Sequence, residues 1–233
     1  MPLPRIWTQW IVKIRSFEFI TLSIAFVCIT AMVTLGFTAN FDEFINLRVK
    51  SVQGNEQLDI LMITLTSLGD VSTLLIAGVI LTVIRRTRKM GLIFLISVVF
   101  ITISIIYLKP LIGRHVPPDG FQTSLILPKH FELEEDTVVS FARDYSYPSN
   151  HIAIATALAY IVGFGINKKS RIGGLLIWTF PPLIGITKLY LMQHYFTDII
   201  GGFLLGLIIS IMTSNVMHLD QPFLISRFKE KRT

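Results

Sequence analysis

Three clusters hold the side chains of this 233-residue chain whose types and spacing could do chemistry. Lys109, Arg114 and His115 stand together in Lys-Pro-Leu-Ile-Gly-Arg-His. Ser149, Asn150 and His151 follow Tyr147-Pro148, and Thr187, Lys188, His194 and Asp198 share the stretch 187–198. Lys109, Arg114 and Lys188 offer positive charges that match a phosphate dianion. Ser149 adds a hydroxyl donor. A helix beginning at the second cluster would present backbone N–H groups that lack intrahelical partners and bind anionic oxygens. His194 and Asp198 are four apart, so on a helix they share a face. The carboxylate can then hold one ring nitrogen and leave the other free to attack phosphorus. His151 remains as the general acid for the leaving alcohol.

Taken singly, each cluster has a plainer explanation. Basic side chains at helix ends snorkel to the membrane interface, and Pro148-Ser149 is an ordinary helix start. What raises them above that is convergence, which depends on the elements that carry them. The chain is 52% hydrophobic and 15% charged, with a mean hydropathy of +0.64. Soluble domains carry about 25% charged residues, so most of this chain faces lipid. Apolar runs near the roughly 20 residues needed to span a bilayer predict an all-α bundle of six helices. They cover 17–38, 58–84 (broken at Gly69-Asp70), 90–108, 149–165, 172–191 (bent at Pro181-Pro182) and 196–217. Before the first lies a basic, Trp-containing lead, 1–16, read as the start of a retained anchor. The segment 39–57 places Phe41, Phe44, Ile45 and Val49 on one face, as in a helix lying on the membrane surface. The stretch 109–148 is a long polar loop, and 218–233 is a basic tail. The whole, 1–233, reads as one membrane domain.

Lysine and arginine set the orientation. Fourteen fall at the N-terminus, 85–89, 167–171 and the tail; seven (Arg48, Lys50, Lys109, Arg114, Lys129, Arg143, Lys188) fall on the other side. The richer side is expected to be cytoplasmic, which puts both termini inside and all three clusters at the outward helix ends.

With that placement the clusters resemble the signature of the type-2 phosphatidic acid phosphatase family, which shares its site with vanadium haloperoxidases. The signature is a lysine, six residues and Arg-Pro; then Pro-Ser-Gly-His; then Ser-Arg, five residues, His, three residues and Asp. The resemblance covers Lys109 to Asp198. It implies that His194 is the nucleophile and His151 the acid, with Asp198 beside His194 and no metal or cofactor. The phosphate binders would be Lys109, Arg114, Ser149, Asn150 and Lys188, with His115 and Thr187 as further candidates. This sequence departs from the pattern at Val116 (before the retained Pro117), at Asn150, and at Thr187-Lys188. All three changes touch residues that would grip phosphate.

The implied function is a lipid phosphatase of a bacterial cytoplasmic membrane. Its substrate would be undecaprenyl diphosphate, a lipid A phosphate, phosphatidate or phosphatidylglycerophosphate. A phosphotransferase using a polyprenyl diphosphate donor, or a catalytically dead lipid-binding relative, would carry the same clusters. A transporter would put its ionisable groups near the bilayer midplane, whereas these lie at helix ends. The net charge of +6 comes from short clusters between apolar runs, with no aromatic-interleaved basic stripe for nucleic acid. A single cysteine, Cys28, cannot form an internal disulfide. Asp70 reads as a helix N-cap at the break. Gly202 and Gly206 read as a close-packing pair inside the bundle.

Overall fold

Long uncharged stretches can satisfy their backbone polar groups in lipid only as helices or closed barrels. The computed structural model, which describes residues 10–128, 132–137 and 139–221, is helical. Its elements are α1 (Phe17–Thr34), α2 (Ala39–Lys50), α3 (Glu56–Thr66), α4 (Val71–Val83), α5 (Arg88–Ile112), α6 (Asn150–Asn167), α7 (Arg171–Leu176), α8 (Phe180–Tyr190) and α9 (Phe196–Val216). Among the described residues there is no strand, only one isolated bridge between His115 and Tyr145. Arg5, Trp7, Lys129 and the tail beyond Gln221 lie outside the described residues.

Five helical stretches are long and apolar enough to span: α1, α5, α6, the run Arg171–Tyr190 made by α7 and α8, and α9. The second segment is broken where its sequence predicts, with α3 and α4 bent by 45° about Asp70. Counted as one span, the pair brings the total to six, so the protein is a multi-pass membrane protein. The first helix stops at Thr34, earlier than expected, and Gly36 turns the chain with a φ of 76°. The segment 39–57 contains a helix, α2, with Phe41 and Phe44 exposed and Asp42 buried. In the fifth segment a 3-10 turn, Ile177–Thr179, makes the irregularity, and the two prolines sit in the first turn of α8. There their missing N–H groups cost no helical hydrogen bond. The third helix runs on to Ile112, which places Lys109 inside its last turn rather than beyond it.

The core lies between α5, α6 and α9, where Phe94, Ile101, Ile152, Ala153, Ile161 and Leu205 are buried together. The spanning window of α6 is 67% buried and that of α1 only 6%, so α6 is the central helix and α1 faces lipid. Gly202 and Gly206 let α9 approach it: a Cβ at either would sit 2.4 Å from the carbonyl oxygen of Ser149 or Ala153. The pair therefore packs within the bundle and brings the start of α9 against the start of α6. At the opposite end the Lys89 ammonium donates to the carbonyls of His218 and Gln221, and Trp10 donates to that of Tyr160. The basic helix ends thus gather at one end of the bundle and the three clusters at the other.

Candidate active site

Lys109 projects from the last turn of α5 and is fully buried. Its ammonium lies 2.8 Å from Asp136 Oδ2 and also donates to the Tyr145 carbonyl. α6 begins at Asn150, and its first free N–H groups converge on the same carboxylate. Asn150 N lies 3.0 and 2.9 Å from the two oxygens, and His151 N lies 3.2 Å from Oδ1. His151 Nδ1 is 2.7 Å from Oδ1, and His194 Nε2 approaches it at 3.2 Å from the turn between α8 and α9. That turn passes through Met192 at a φ of 54°. Asp136 lies in a non-helical strap, residues 132–137, and Asn150 Nδ2 holds its backbone by donating to the Asp136 carbonyl. One carboxylate thus gathers a lysine, two helix-start amides and two imidazoles, the donor set that suits a phosphoryl group.

A second carboxylate of the same strap does likewise on the other edge of His151. Glu134 Oε2 accepts from Val71 N at 2.5 Å and lies 3.1 Å from His151 Nε2; Oε1 accepts from Ser72 N at 3.3 Å. Asp70 occupies the N-cap position of α4 as expected, but its side chain makes no capping bond. Glu134 caps the helix instead. The Asp70 carboxylate turns to Lys188, 3.7 Å from Nζ. Lys188 is fully buried, and its ammonium has no hydrogen-bond partner among the described residues.

The other expected site residues are distributed as follows. Arg114 points away from the cradle: its guanidinium donates to Asp198 Oδ1 at 2.9 Å, Thr197 Oγ1 at 2.6 Å and Asp42 Oδ2 at 2.6 Å, and stacks over Tyr195. Two buried carboxylates claim it, so it joins α2 to the start of α9 rather than standing free for phosphate. Asp198 also accepts from Tyr195 N, at 2.8 Å, and lies 3.7 Å from His194 Nδ1. It faces that ring nitrogen, beyond hydrogen-bond range in this arrangement. His115 is exposed and packs on Tyr145, and Thr187 donates to the Ile184 carbonyl; neither touches the cradle carboxylate. Ser149 Oγ is buried at the N-cap with no hydrogen-bond partner among the described residues. Val116 lines the same pocket of about 350 Å³ as Asp136, His151 and His194.

The charges follow from these contacts. Burial pushes Asp136 up, but Lys109 and His194 more than offset it and hold the carboxyl well below its usual range. Glu134 is brought down to about 2 against its own burial, by His151 and the Val71 and Ser72 amides. Burial alone would lower His194. The Asp136 and Asp198 carboxylates reverse that and hold its pKa above the ordinary 6.5.

Asp136, His151 and His194 place ligand atoms within 4.8 Å of one another, as do Asp70, Glu134 and His151. Spacing along the sequence does not reveal these groups, because the strap supplies Asp136 to one and Glu134 to the other. A cation at either would have to share its carboxylates with Lys109 or Lys188, which already bring positive charge there.

Asp136, Glu134 and Asp42 are the residues that sequence reasoning missed. A signal exists for the first two: Glu132, Glu134, Glu135 and Asp136 form an acidic run inside the long loop, opposite a ring of basic clusters.

The PAP2 superfamily pattern matches residues 72–221. An undecaprenyl-diphosphatase of Sulfolobus acidocaldarius is 27% identical over 201 residues, 85% of this chain and 87% of that one. Phosphatidylglycerophosphatase B of Bacillus subtilis is 28% identical over 94 residues, 37% of this chain, which spans only 44% of that relative. In structure, the crystal structure of a transmembrane PAP2 type phosphatidylglycerolphosphate phosphatase from Bacillus subtilis superposes with a TM-score of 0.72 at 22% identity. The match covers 90% of this chain and 100% of that one. With its three motifs gathered at one end of such a bundle, the chain belongs to the PAP2 superfamily.

Proposed function

We propose that this chain is a lipid phosphatase that works through a phosphohistidine at the outer face of the cytoplasmic membrane. The observation that carries this reading is the cradle around Asp136, which holds that carboxylate between two imidazoles, a lysine and the first amides of α6. A terminal phosphoryl group would take the place of the Asp136 carboxylate, held by Lys109 and the α6 amides. His194 Nε2 faces that position and would attack phosphorus, while Nδ1 faces Asp198. The bond from phosphorus to the lipid oxygen breaks with its electron pair on oxygen, and His151 supplies the proton. Water then hydrolyses the phosphohistidine to orthophosphate. Arg114 acts at one remove, fixing Asp198 and the start of α9. The gathering of basic helix ends opposite the cradle supports cytoplasmic termini. The test is orthophosphate release from short-chain lipid phosphates, by purified protein in EDTA and by intact cells expressing it. Release is expected in both. None from purified protein would sink the function, dependence on added metal would point to another enzyme class, and release only from broken cells would reverse the orientation.

Because Asp136 occupies the cradle, substrate must displace it. The sign of the pH effect follows from two groups. The Asp136 pairing is present above the ordinary carboxylate pKa, about 3.9, and is lost only as pH falls through its depressed folded value. The contribution of protonated His194 is full below 6.5 and is lost as pH rises through its raised folded value. The strap therefore loosens on the alkaline side, where His194 also becomes a free nucleophile. kcat/KM, which reports the free enzyme, should climb through that raised value. In Asp136→Asn the rising limb should move to lower pH, and KM should fall about tenfold, the worth of one charge-assisted contact. An unchanged limb and KM would show that the strap does not compete with substrate.

A further inference from the structure

At the end of the bundle opposite the cradle, the lead before α1 is bonded into the helices. Trp10 Nε1 donates to the Tyr160 carbonyl at 2.8 Å, Val12 N to the Tyr160 hydroxyl at 3.1 Å, and Asn215 Nδ2 to the Val12 carbonyl at 2.7 Å. The turn after α9 is held in its own way, with Lys89 donating to the carbonyls of His218 and Gln221. Lead and turn together line a cavity of about 640 Å³. Trp10, Ile14 and Phe164 give it apolar surface, and Lys13, Arg15 and Ser214 give it donors. Lys13 and Arg15 are exposed, and neither enters an ion pair among the described residues. Asp220 is the one carboxylate in the lining, so a positive charge is left over. Ser214 is 1% exposed, and its hydroxyl has no hydrogen-bond partner among the described residues. The carbonyl four residues before it, at Ser210, accepts from Thr213 Oγ1 instead, at 3.2 Å. A buried hydroxyl left unpaired is costly, and an acceptor entering the cavity would relieve it.

We propose that this cavity binds the headgroup phosphate of an anionic phosphodiester lipid, which bridges the lead to the end of α9. The left-over charge matches the single negative charge of a phosphodiester, and Lys13, Arg15 and Ser214 supply the donors. The occupant is a lipid because the cavity is part apolar and adjoins the start of α1, the helix that faces lipid. Phe17, in the first turn of α1, is 81% exposed. Tryptophan at such a position sits at headgroup level, which is where the phosphate of a lipid lies. Exposed basic residues attract anionic lipid without any built site. Here the two charges stand on a lead fixed to α6 and α9 by three hydrogen bonds, with a buried unpaired hydroxyl in the same cavity. That combination distinguishes a headgroup site from a charged rim.

The test titrates purified full-length protein in neutral detergent with chain-brominated phosphatidylmethanol, a bare anionic phosphodiester lipid, or with chain-brominated phosphatidylcholine. Quenching of tryptophan fluorescence reads occupancy, because Trp10 lines the cavity and the Trp178 ring lies 6.1 Å from it. The anionic lipid should bind at least about tenfold more tightly. Lys13→Gln and Arg15→Gln should each lower that preference about fivefold. Ser214→Ala should weaken phosphatidylmethanol about fivefold, the worth of one hydrogen bond. Asp220→Asn should tighten it, a gain that misfolding cannot mimic. Lys169→Gln, an exposed position at the same end but outside the lining, should change nothing. Thermal unfolding checks the fold of each variant. Equal affinity for the two lipids, or no effect of Ser214→Ala, would overturn the site. Losses in Lys169→Gln as large as those in Lys13→Gln would overturn it in favour of diffuse surface attraction. Dimethyl phosphate displacing the brominated lipid as well as unlabelled phosphatidylmethanol does would make the occupant a free phosphodiester and overturn the lipid.

Discussion

His194→Ala should abolish turnover, by on the order of 10⁵-fold, and leave no acid-labile phosphoenzyme in rapid-quench experiments. The size follows from the role: without Nε2 there is no atom to accept the phosphoryl group, and the rest of the cradle can only bind it. Asp198→Asn is the companion variant. It keeps the shape of the α9 start but removes the charge that faces His194 Nδ1 and answers Arg114. Loss of an orienting carboxylate costs up to about 10⁴-fold in a comparable triad. The phosphoenzyme should still form, slowly. Thermal unfolding measured beside activity separates chemistry from packing, because Asp198 also bonds Tyr195 N and so holds the helix start. Near-wild-type turnover in His194→Ala, with the protein folded, would mean that phosphate is transferred directly to water and that no histidine intermediate exists.

What could be read from the sequence divides along physical lines. Helices in lipid are dictated by local composition, so the spans, the break at Asp70 and the helix that exposes Phe41 and Phe44 all follow from the pattern of apolar residues. The clusters could be brought together because each stands beside a helix end and consecutive spans alternate in direction. Pairings between charged side chains carry no such periodicity. Arg114 was free on paper because the carboxylates that claim it lie 72 and 84 residues away, at Asp42 and Asp198. Asp42 itself hides on the polar face of α2, where an acidic residue is unremarked. The strap is harder still, since its backbone is neither helix nor strand and no pattern fixes which carboxylate enters which pocket. The departures at Val116 and Lys188 were legible as losses of arginine. That an acidic strap fills the space beside them was not, because it requires knowing which way residues 132–137 fold.

His151→Ala should divide substrates by their leaving groups. A lipid alcohol leaves badly unless its oxygen is protonated, so on a lipid monophosphate the loss should reach about 10²- to 10⁴-fold, the range for general acid catalysis. An aryl phosphate such as p-nitrophenyl phosphate needs little help, and its loss should be close to tenfold, reflecting only the contact that His151 Nδ1 makes in the cradle. The assignment has a physical basis beyond position. Glu134, held at about 2, and Asp136, held lower than an ordinary carboxyl, are both ionised at neutral pH and have no proton to give. Lys109 is committed to Asp136 and the Tyr145 carbonyl, and His115 packs on Tyr145 away from the carboxylates. Among the described residues around the cradle, His151 is the imidazole that faces both carboxylate positions, with Nδ1 toward Asp136 and Nε2 toward Glu134. Equal losses on both substrate types would make it a phosphate binder alone. The proton would then have to come from solvent, and the alkyl and aryl substrates would show a solvent isotope effect of the same size.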